Sequence, residues 1–202
     1  MATQVSYQTP AASSAGLTPM HMAAGQGDVA AIKTLLAGGV DVNVQDTLGR
    51  GKRPLHIAVL NGKVEAIKTL AEAGADMNVL DANKKRPINY AVCSGVETTR
   101  TLLKLGADVN SKDGDARRPI HLAAQEGFSD VIRLLAEMGA DVNAVGDGGW
   151  RPVHCAAFMK RPEAISLLAR TSTHKTMTAR PRCCGRQKTG ARRRSRCCYH
   201  SV

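Results

Sequence analysis

A proline-anchored phrase recurs five times along this chain: Thr18-Pro19-Met20-His21, Arg53-Pro54-Leu55-His56, Arg86-Pro87-Ile88-Asn89, Arg118-Pro119-Ile120-His121 and Arg151-Pro152-Val153-His154. Successive prolines stand 35, 33, 32 and 33 residues apart. Recurrence at this period means that one supersecondary unit, too small to bury its own apolar face, is stacked on copies of itself. Composition agrees, because 43% of the chain is hydrophobic but only 3% is aromatic. A core of Ala, Leu, Ile and Val suits thin layers of closely approaching helices better than a sandwich or a barrel.

Each unit reads as two helices. Proline belongs in the first turn of a helix, where its missing N–H removes no bond. Paired alanines (Ala23-Ala24, Ala123-Ala124, Ala156-Ala157) let that short helix pack tightly, and a glycine eight residues after the proline (Gly27, Gly62, Gly95, Gly127) is expected to end it in a left-handed conformation. Val29, Ile32, Leu35 and Leu36 in one copy, and Val131, Ile132, Leu134 and Leu135 in another, then show helical spacing for a second, amphipathic helix. Gly39, Gly74, Gly106 and Gly139 end it. The Asp-x-Asn that follows (Asp41/Asn43, Asp76/Asn78, Asp108/Asn110, Asp141/Asn143) supplies short polar side chains that can bond the loop's own backbone.

With Pro-apolar-His-x-Ala, the mid-unit Gly and Gly-Ala-Asp-x-Asn all in register, residues 18 to about 168 closely resemble the ankyrin repeat family. The resemblance implies an all-α solenoid of stacked helix-turn-helix units with finger loops, about four full repeats plus a partial fifth. Expected boundaries are 1–16 for a flexible N-terminal segment, 17–168 for the repeats (17–49, 50–84, 85–116, 117–149 and the partial 150–168) and 169–202 for a disordered tail. The third copy is one residue short between Gly95 and Gly106, and the fifth has Lys160 where the others have Gly, so a left-handed lysine is expected there. In the family the recurrent His bonds loop backbone and helix cap. A metal-binding ladder is excluded by spacing, since stacked units lie about 10 Å apart and zinc needs its ligands within ~2.1 Å.

Arg replaces the family's capping Thr in four of five copies, forfeiting a cap worth ~0.5–2 kcal/mol. Lys52-Arg53, Lys84-Lys85-Arg86, Arg117-Arg118 and Arg151 consequently fall at one register beside the finger tips. Either each Arg pairs with a loop acid (Asp81, Asp113, Asp115, Asp147) or lies along apolar surface, or the row forms a basic ridge for an acidic segment of a partner. The resemblance further implies that partners dock on the finger tips and on the residues after the alanine pair. By position these are Lys52, Lys85, Arg117 and Trp150 on the fingers, and Leu60-Asn61, Cys93-Ser94, Gln125-Glu126 and Phe158-Met159 on the first helices. Trp150, Phe158 and Met159 make either an apolar anchor for a partner or a cover for the next unit's core.

The net charge is +11. Residues 171–202 hold seven Arg and two Lys with no acid, +9 of that total, which leaves +2 for residues 1–170. Four of the six cysteines (Cys183, Cys184, Cys197, Cys198) lie in the same stretch, while Cys93 and Cys155, in the first helices, are expected to be buried. Back-translated, residues 168–202 admit an alternative frame that reads as a further repeat in the correct register, so the tail is expected to be frame-shifted sequence. The loss of a capping unit would then leave Ile165, Leu167 and Leu168 exposed. Adjacent Cys pairs lack the two-residue gap of zinc ligands.

No phosphate loop, His-Glu-x-x-His or nucleophile–base pair is present, so no enzyme activity, cofactor or small-molecule substrate is expected. Nor does a basic leader with an apolar run, or a stretch near the ~18 apolar residues of a membrane span, occur. The expected role is a non-catalytic protein-binding module in the cytoplasm, with the nucleus as the alternative location through Arg192-Arg193-Arg194. Two other readings stand beside it: the recognition part of a larger enzyme, channel or ligase subunit, and, weakest, a nucleic-acid binder through the basic tail.

Overall fold

The computed structural model describes residues 16–47 and 49–178, with side chains to Thr171. Among them are ten α-helices and no strand: α1 (Pro19–Gln26), α2 (Val29–Ala37), α3 (Pro54–Leu60), α4 (Val64–Glu72), α5 (Pro87–Ser94), α6 (Val96–Lys104), α7 (Pro119–Glu126), α8 (Ser129–Glu137), α9 (Pro152–Phe158) and α10 (Pro162–Thr178). Odd-numbered helices pack on one another in sequence order to form an inner layer, and even-numbered ones form an outer layer. The result is a helical solenoid. Its core is one continuous cluster in which Met20, Leu55, Ile88 and Ile120 of the inner helices meet Ile32, Ile67, Leu102 and Ile132 of the outer ones, all fully buried.

The fifth copy also has both helices, and α10 continues past Leu168 to Thr178. Because α10 packs on α8 and α9, Leu168 is buried and Ile165 and Leu167 are half-covered. This corrects the expectation that all three stand exposed. Of the expected frame-shifted tail 169–202, residues 169–178 belong to α10, whereas residues 179–202, with the four cysteines, and residues 1–15 of the expected N-terminal segment lie outside the described residues.

Each inner helix begins with a proline preceded by an extended residue, and in every copy the side chain three residues into the helix reaches back to that residue's backbone N–H. Arg53 N donates to His56 Nδ1 at 3.1 Å, Arg118 N to His121 Nδ1 at 3.2 Å and Arg151 N to His154 Nδ1 at 3.2 Å. Asn89 Oδ1 does the same for Arg86 N at 2.8 Å. This is half of a capping box, made from the helix side. It satisfies the N–H of the residue before the proline in every copy, whether that residue is Thr or Arg.

Since Nδ1 accepts, the ring proton sits on Nε2 and points into the following copy: His21 Nε2 meets Lys52 O at 3.0 Å and His121 Nε2 meets Trp150 O at 3.2 Å. His21 and His121 therefore join neighbouring units as neutral imidazoles. Burial lowers the pKa of His21 and His121, and lowers that of His56 to about 4. At His56 the buried ring Nε2 makes no well-aligned hydrogen bond among the described residues, and the nearby Asp81 carboxylate and Lys85 carbonyl offset only part of the desolvation.

The Asp-x-Asn turns do more than close themselves. Asn78 N donates to Asp76 Oδ1 at 2.8 Å as expected, but the asparagine side chain then spans two copies. Asp108 N donates to its Oδ1 at 2.9 Å, and its Nδ2 donates to Gly106 O at 3.3 Å. Asn43 and Asn110 repeat the pattern with the next turn along. These pairs form an asparagine ladder that fixes the spacing between copies.

Two backbone details follow from the irregular copies. Gly95 does not adopt the left-handed helix end seen at Gly27 and Gly127; at φ 121°, ψ 173° it both ends α5 and starts α6. The missing residue of the third copy forces one position to serve both helices. Lys160 has φ 54°, as its sequence position requires, and the position two before each Arg-Pro is also left-handed: Gly51 and Gly149 occupy it in two copies, Lys84 and Ala116 (φ 55° and 54°) in the others. Ala116→Gly is therefore expected to stabilise the protein by about 0.5–1 kcal/mol, the relieved left-handed strain less glycine's backbone entropy. A higher urea midpoint with an unchanged slope is the expected reading, and an unchanged midpoint would show that the position carries no strain.

Candidate functional site

The finger tips are closed by acids that face inward. Asp81 Oδ1 accepts the Lys85 backbone N–H at 2.9 Å, Asp113 Oδ1 that of Arg117 at 2.8 Å and Asp46 Oδ1 that of Lys52 at 3.2 Å. Asp46 and Asp81 are buried in this role. Neighbouring fingers are also bonded to each other, with Ala82 N on Arg50 O at 2.9 Å and Gly114 N on Lys84 O at 3.0 Å. The tips are thus held at fixed spacing by backbone.

Lys52-Arg53, Lys85-Arg86 and Arg117-Arg118 run into their helices through an extended segment, in which consecutive side chains leave on opposite sides. The second member of each pair turns inward. Arg53 Nη1 donates to Asn43 O at 2.7 Å, Arg86 Nη1 to Asn78 O, and Arg118 Nη1 lies 3.5 Å from both Asn110 Oδ1 and Asp141 Oδ2. The Nε of all three is buried. These arginines pin the start of each inner helix to the Asp-x-Asn turn of the preceding copy, and Arg118 also to Asp141 of its own, so the candidate ridge loses Arg53, Arg86 and Arg118. Among the four loop acids offered as arginine partners, Asp81 and Asp113 are taken by backbone N–H groups and Asp147 Oδ1 accepts from Gly148 N. Only Asp115 makes a pair, with Arg117 Nη2 at 2.9 Å.

The first members stay on the outer side. Lys52 Nζ and Lys85 Nζ lie over the same ring, that of Tyr90, at 5.2 and 5.9 Å from its centroid. Tyr90 on α5 is itself fixed: its hydroxyl donates to Asp81 Oδ2, and His56 stands edge-on to it at 6.0 Å. Desolvation, with Asp81 beside it, pushes the phenol pKa up. Tyr90 was not among the residues singled out from the sequence, although an aromatic in a chain so poor in aromatics, placed on an inner helix between two lysine columns, was a usable signal.

Farther along the same face, a cleft of about 560 Å³ opens between the fourth and fifth fingers and α7 and α9. It brings together five of the expected residues: Arg117, Gln125, Trp150, Phe158 and Met159. Trp150 packs edge-on against Phe158, with ring centroids 5.7 Å apart, and against His154 at 6.3 Å. Phe158 is 74% exposed, Trp150 43% and Met159 39%. Arg117 Nη1 donates to Gln125 Oε1 at 3.2 Å and Gln125 Nε2 to Glu126 Oε1 at 3.1 Å, which gives the cleft a polar rim.

Of the other expected positions, Leu60 and Arg151 are exposed on this side, while the Asn61 amide donates to Gly25 O at 2.9 Å and ties two copies together. Cys93 is exposed and Cys155 half-exposed, correcting the expectation of buried thiols. Partial desolvation nevertheless raises both thiol pKa values, which is opposite to the activation a nucleophilic cysteine needs. Among the described residues no helix is long and apolar enough to cross a membrane.

A family model describing ankyrin repeats in three copies matches residues 20–113 and, again, residues 89–179. No curated protein matches the chain significantly.

Proposed function

The chain belongs to the ankyrin repeat family, whose members are in general protein–protein interaction modules, and on that premise we propose that it binds a partner protein on its finger and inner-helix face without catalysing a reaction. The observation that carries this reading is the exposed Trp150–Phe158–Met159 cluster at the mouth of the cleft. A paired Trp and Phe held open to solvent beside an Arg–Gln rim has the composition of a binding hot spot, an apolar centre with polar groups around it. The fingers are braced by inward acids and by each other, so little ordering entropy opposes docking.

The test is differential affinity capture by the full chain, with Trp150→Ala/Phe158→Ala set against a control substitution on the outer layer, Lys104→Ala. Loss of a hot-spot pair is expected to weaken a captured partner about thirtyfold or more. Phe158 is largely exposed and Trp150 nearly half exposed, and neither belongs to the buried core, so the circular dichroism melt should move little. Partners that remain on the double variant but leave the outer-layer control would place binding on the opposite face and refute the proposal.

A further inference from the structure

The binding face is not uniform along its length. At the second and third copies two ammonium groups are gathered over one ring, and neither Lys52 nor Lys85 has a carboxylate within ion-pair distance among the described residues. Their backbones are anchored by Asp46 and Asp81, and the ring between them is locked by Asp81 and His56, so two unpaired like charges are held in place at one spot. At the fourth copy the cation is already spent, since Arg117 is paired with Asp115 and bonded to Gln125. At the fifth the surface is aromatic. Along the stack the face therefore reads basic, neutral, apolar.

Stacked helices lie about 10 Å apart, so the Lys52–Lys85 pair is two to three copies, roughly 20–30 Å, from Trp150. An extended chain covers that distance in about six to nine residues at about 3.3 Å each. We propose that the partner's contact segment is an extended acidic peptide. It sets an Asp or Glu carboxylate against Lys52 and Lys85 beside Tyr90, and a large apolar side chain about six to nine residues away in the cleft at Trp150, Phe158 and Met159. The carboxylate relieves the repulsion between the two lysines, and the apolar residue covers the exposed rings. This rests on the binding role proposed above and names the chemistry of the segment that fills the face.

The experiment selects a displayed library of random 12-residue peptides on the full chain. The enriched sequence, made synthetically with a fluorescein label, is then titrated by fluorescence anisotropy against Lys52→Glu/Lys85→Glu, the milder Lys85→Gln, and Trp150→Ala/Phe158→Ala. The expected result is enrichment of an acidic residue at one end and a large apolar one about six to nine positions away. Affinity should fall tenfold or more for either double variant, severalfold for Lys85→Gln, and steeply with added salt for the wild type. Lys85→Gln replaces the ammonium with an uncharged polar group on a side chain one atom shorter, so it reads the charge even if the double reversal disturbs a finger. Enriched peptides without acids, sensitive to Trp150→Ala/Phe158→Ala and indifferent to the lysines, would overturn this inference and leave the binding role standing. Indifference to every one of these substitutions would overturn both, and failure of any peptide to enrich would overturn the extended-peptide occupant.

Discussion

Lowering the pH from 7 to 4 is expected to strip this solenoid of several kcal/mol of stability, with the loss beginning near pH 6.5. The cause is the row of neutral histidines. His21, His56 and His121 each use Nδ1 to accept a backbone N–H at the start of an inner helix, so a second ring proton would set donor against donor in a buried site. Their folded pKa values lie below the ordinary value of 6.5, that of His56 at about 4. A base with a depressed folded pKa takes up its proton more readily in the unfolded chain. The stability it confers is therefore whole above pH 6.5 and drains away as the pH falls toward the folded value.

For His56 alone the shift corresponds to about 3 kcal/mol by pH 4. The groups facing His56 do not reverse this: Asp81 opposes the shift and Lys52 reinforces it, but burial dominates both. Acid also titrates carboxylates, so the isolating variant is His56→Asn, for which the third copy supplies the precedent in Asn89. Urea midpoints measured from pH 7.5 to 4 should fall more gently for His56→Asn than for the wild type, with the two curves parting below pH 6.5. Parallel curves would show that the imidazole's protonation is not what the fold resists.

Ile88→Ala is expected to cost about 3–4 kcal/mol, in the range for a fully buried isoleucine whose cavity cannot collapse. Its position matters as much as its size. Ile88 lies on α5, which packs on α3 to one side and α7 to the other, and an array of this kind is coupled only through such neighbours. Weakening the middle copy should uncouple the ends. Trp150, the only tryptophan, sits in the fifth copy, so its fluorescence follows one end while far-UV circular dichroism follows every helix. Wild-type urea transitions by the two probes are expected to coincide, and those of Ile88→Ala to separate. Coincident transitions with a loss under about 1 kcal/mol would mean that the copies do not communicate through this residue.

Much of the architecture was legible in the residues because each copy carries its own punctuation. Proline at the first turn, glycine after most of the helices and the one-residue deletion before Gly106 are local requirements, and ten helices lie where they point. The deletion also foretold an irregular third copy, though not that Gly95 would leave the left-handed region to serve two helices at once. The candidate face was legible in part. Trp150, Phe158, Met159, Arg117 and Gln125 do converge on one cleft, because they occupy corresponding positions of successive copies and stacking brings such positions together.

What sequence by itself determined is therefore the repeating unit, its register and the side of each helix that meets the next copy, all consequences of local backbone preference and a fixed period. Only the tertiary structure decided how neighbouring cations divide. Arg53, Arg86 and Arg118 turn inward to bond the Asp-x-Asn turns, whereas Lys52 and Lys85, one residue earlier, are left over Tyr90 with no ion pair among the described residues. In an extended segment adjacent side chains leave on opposite sides, and which side faces a carbonyl and which faces an aromatic ring depends on residues some five to thirty-eight positions away. Charge counted along a sequence cannot separate the two, since the distinction is made by what the fold places next to each nitrogen.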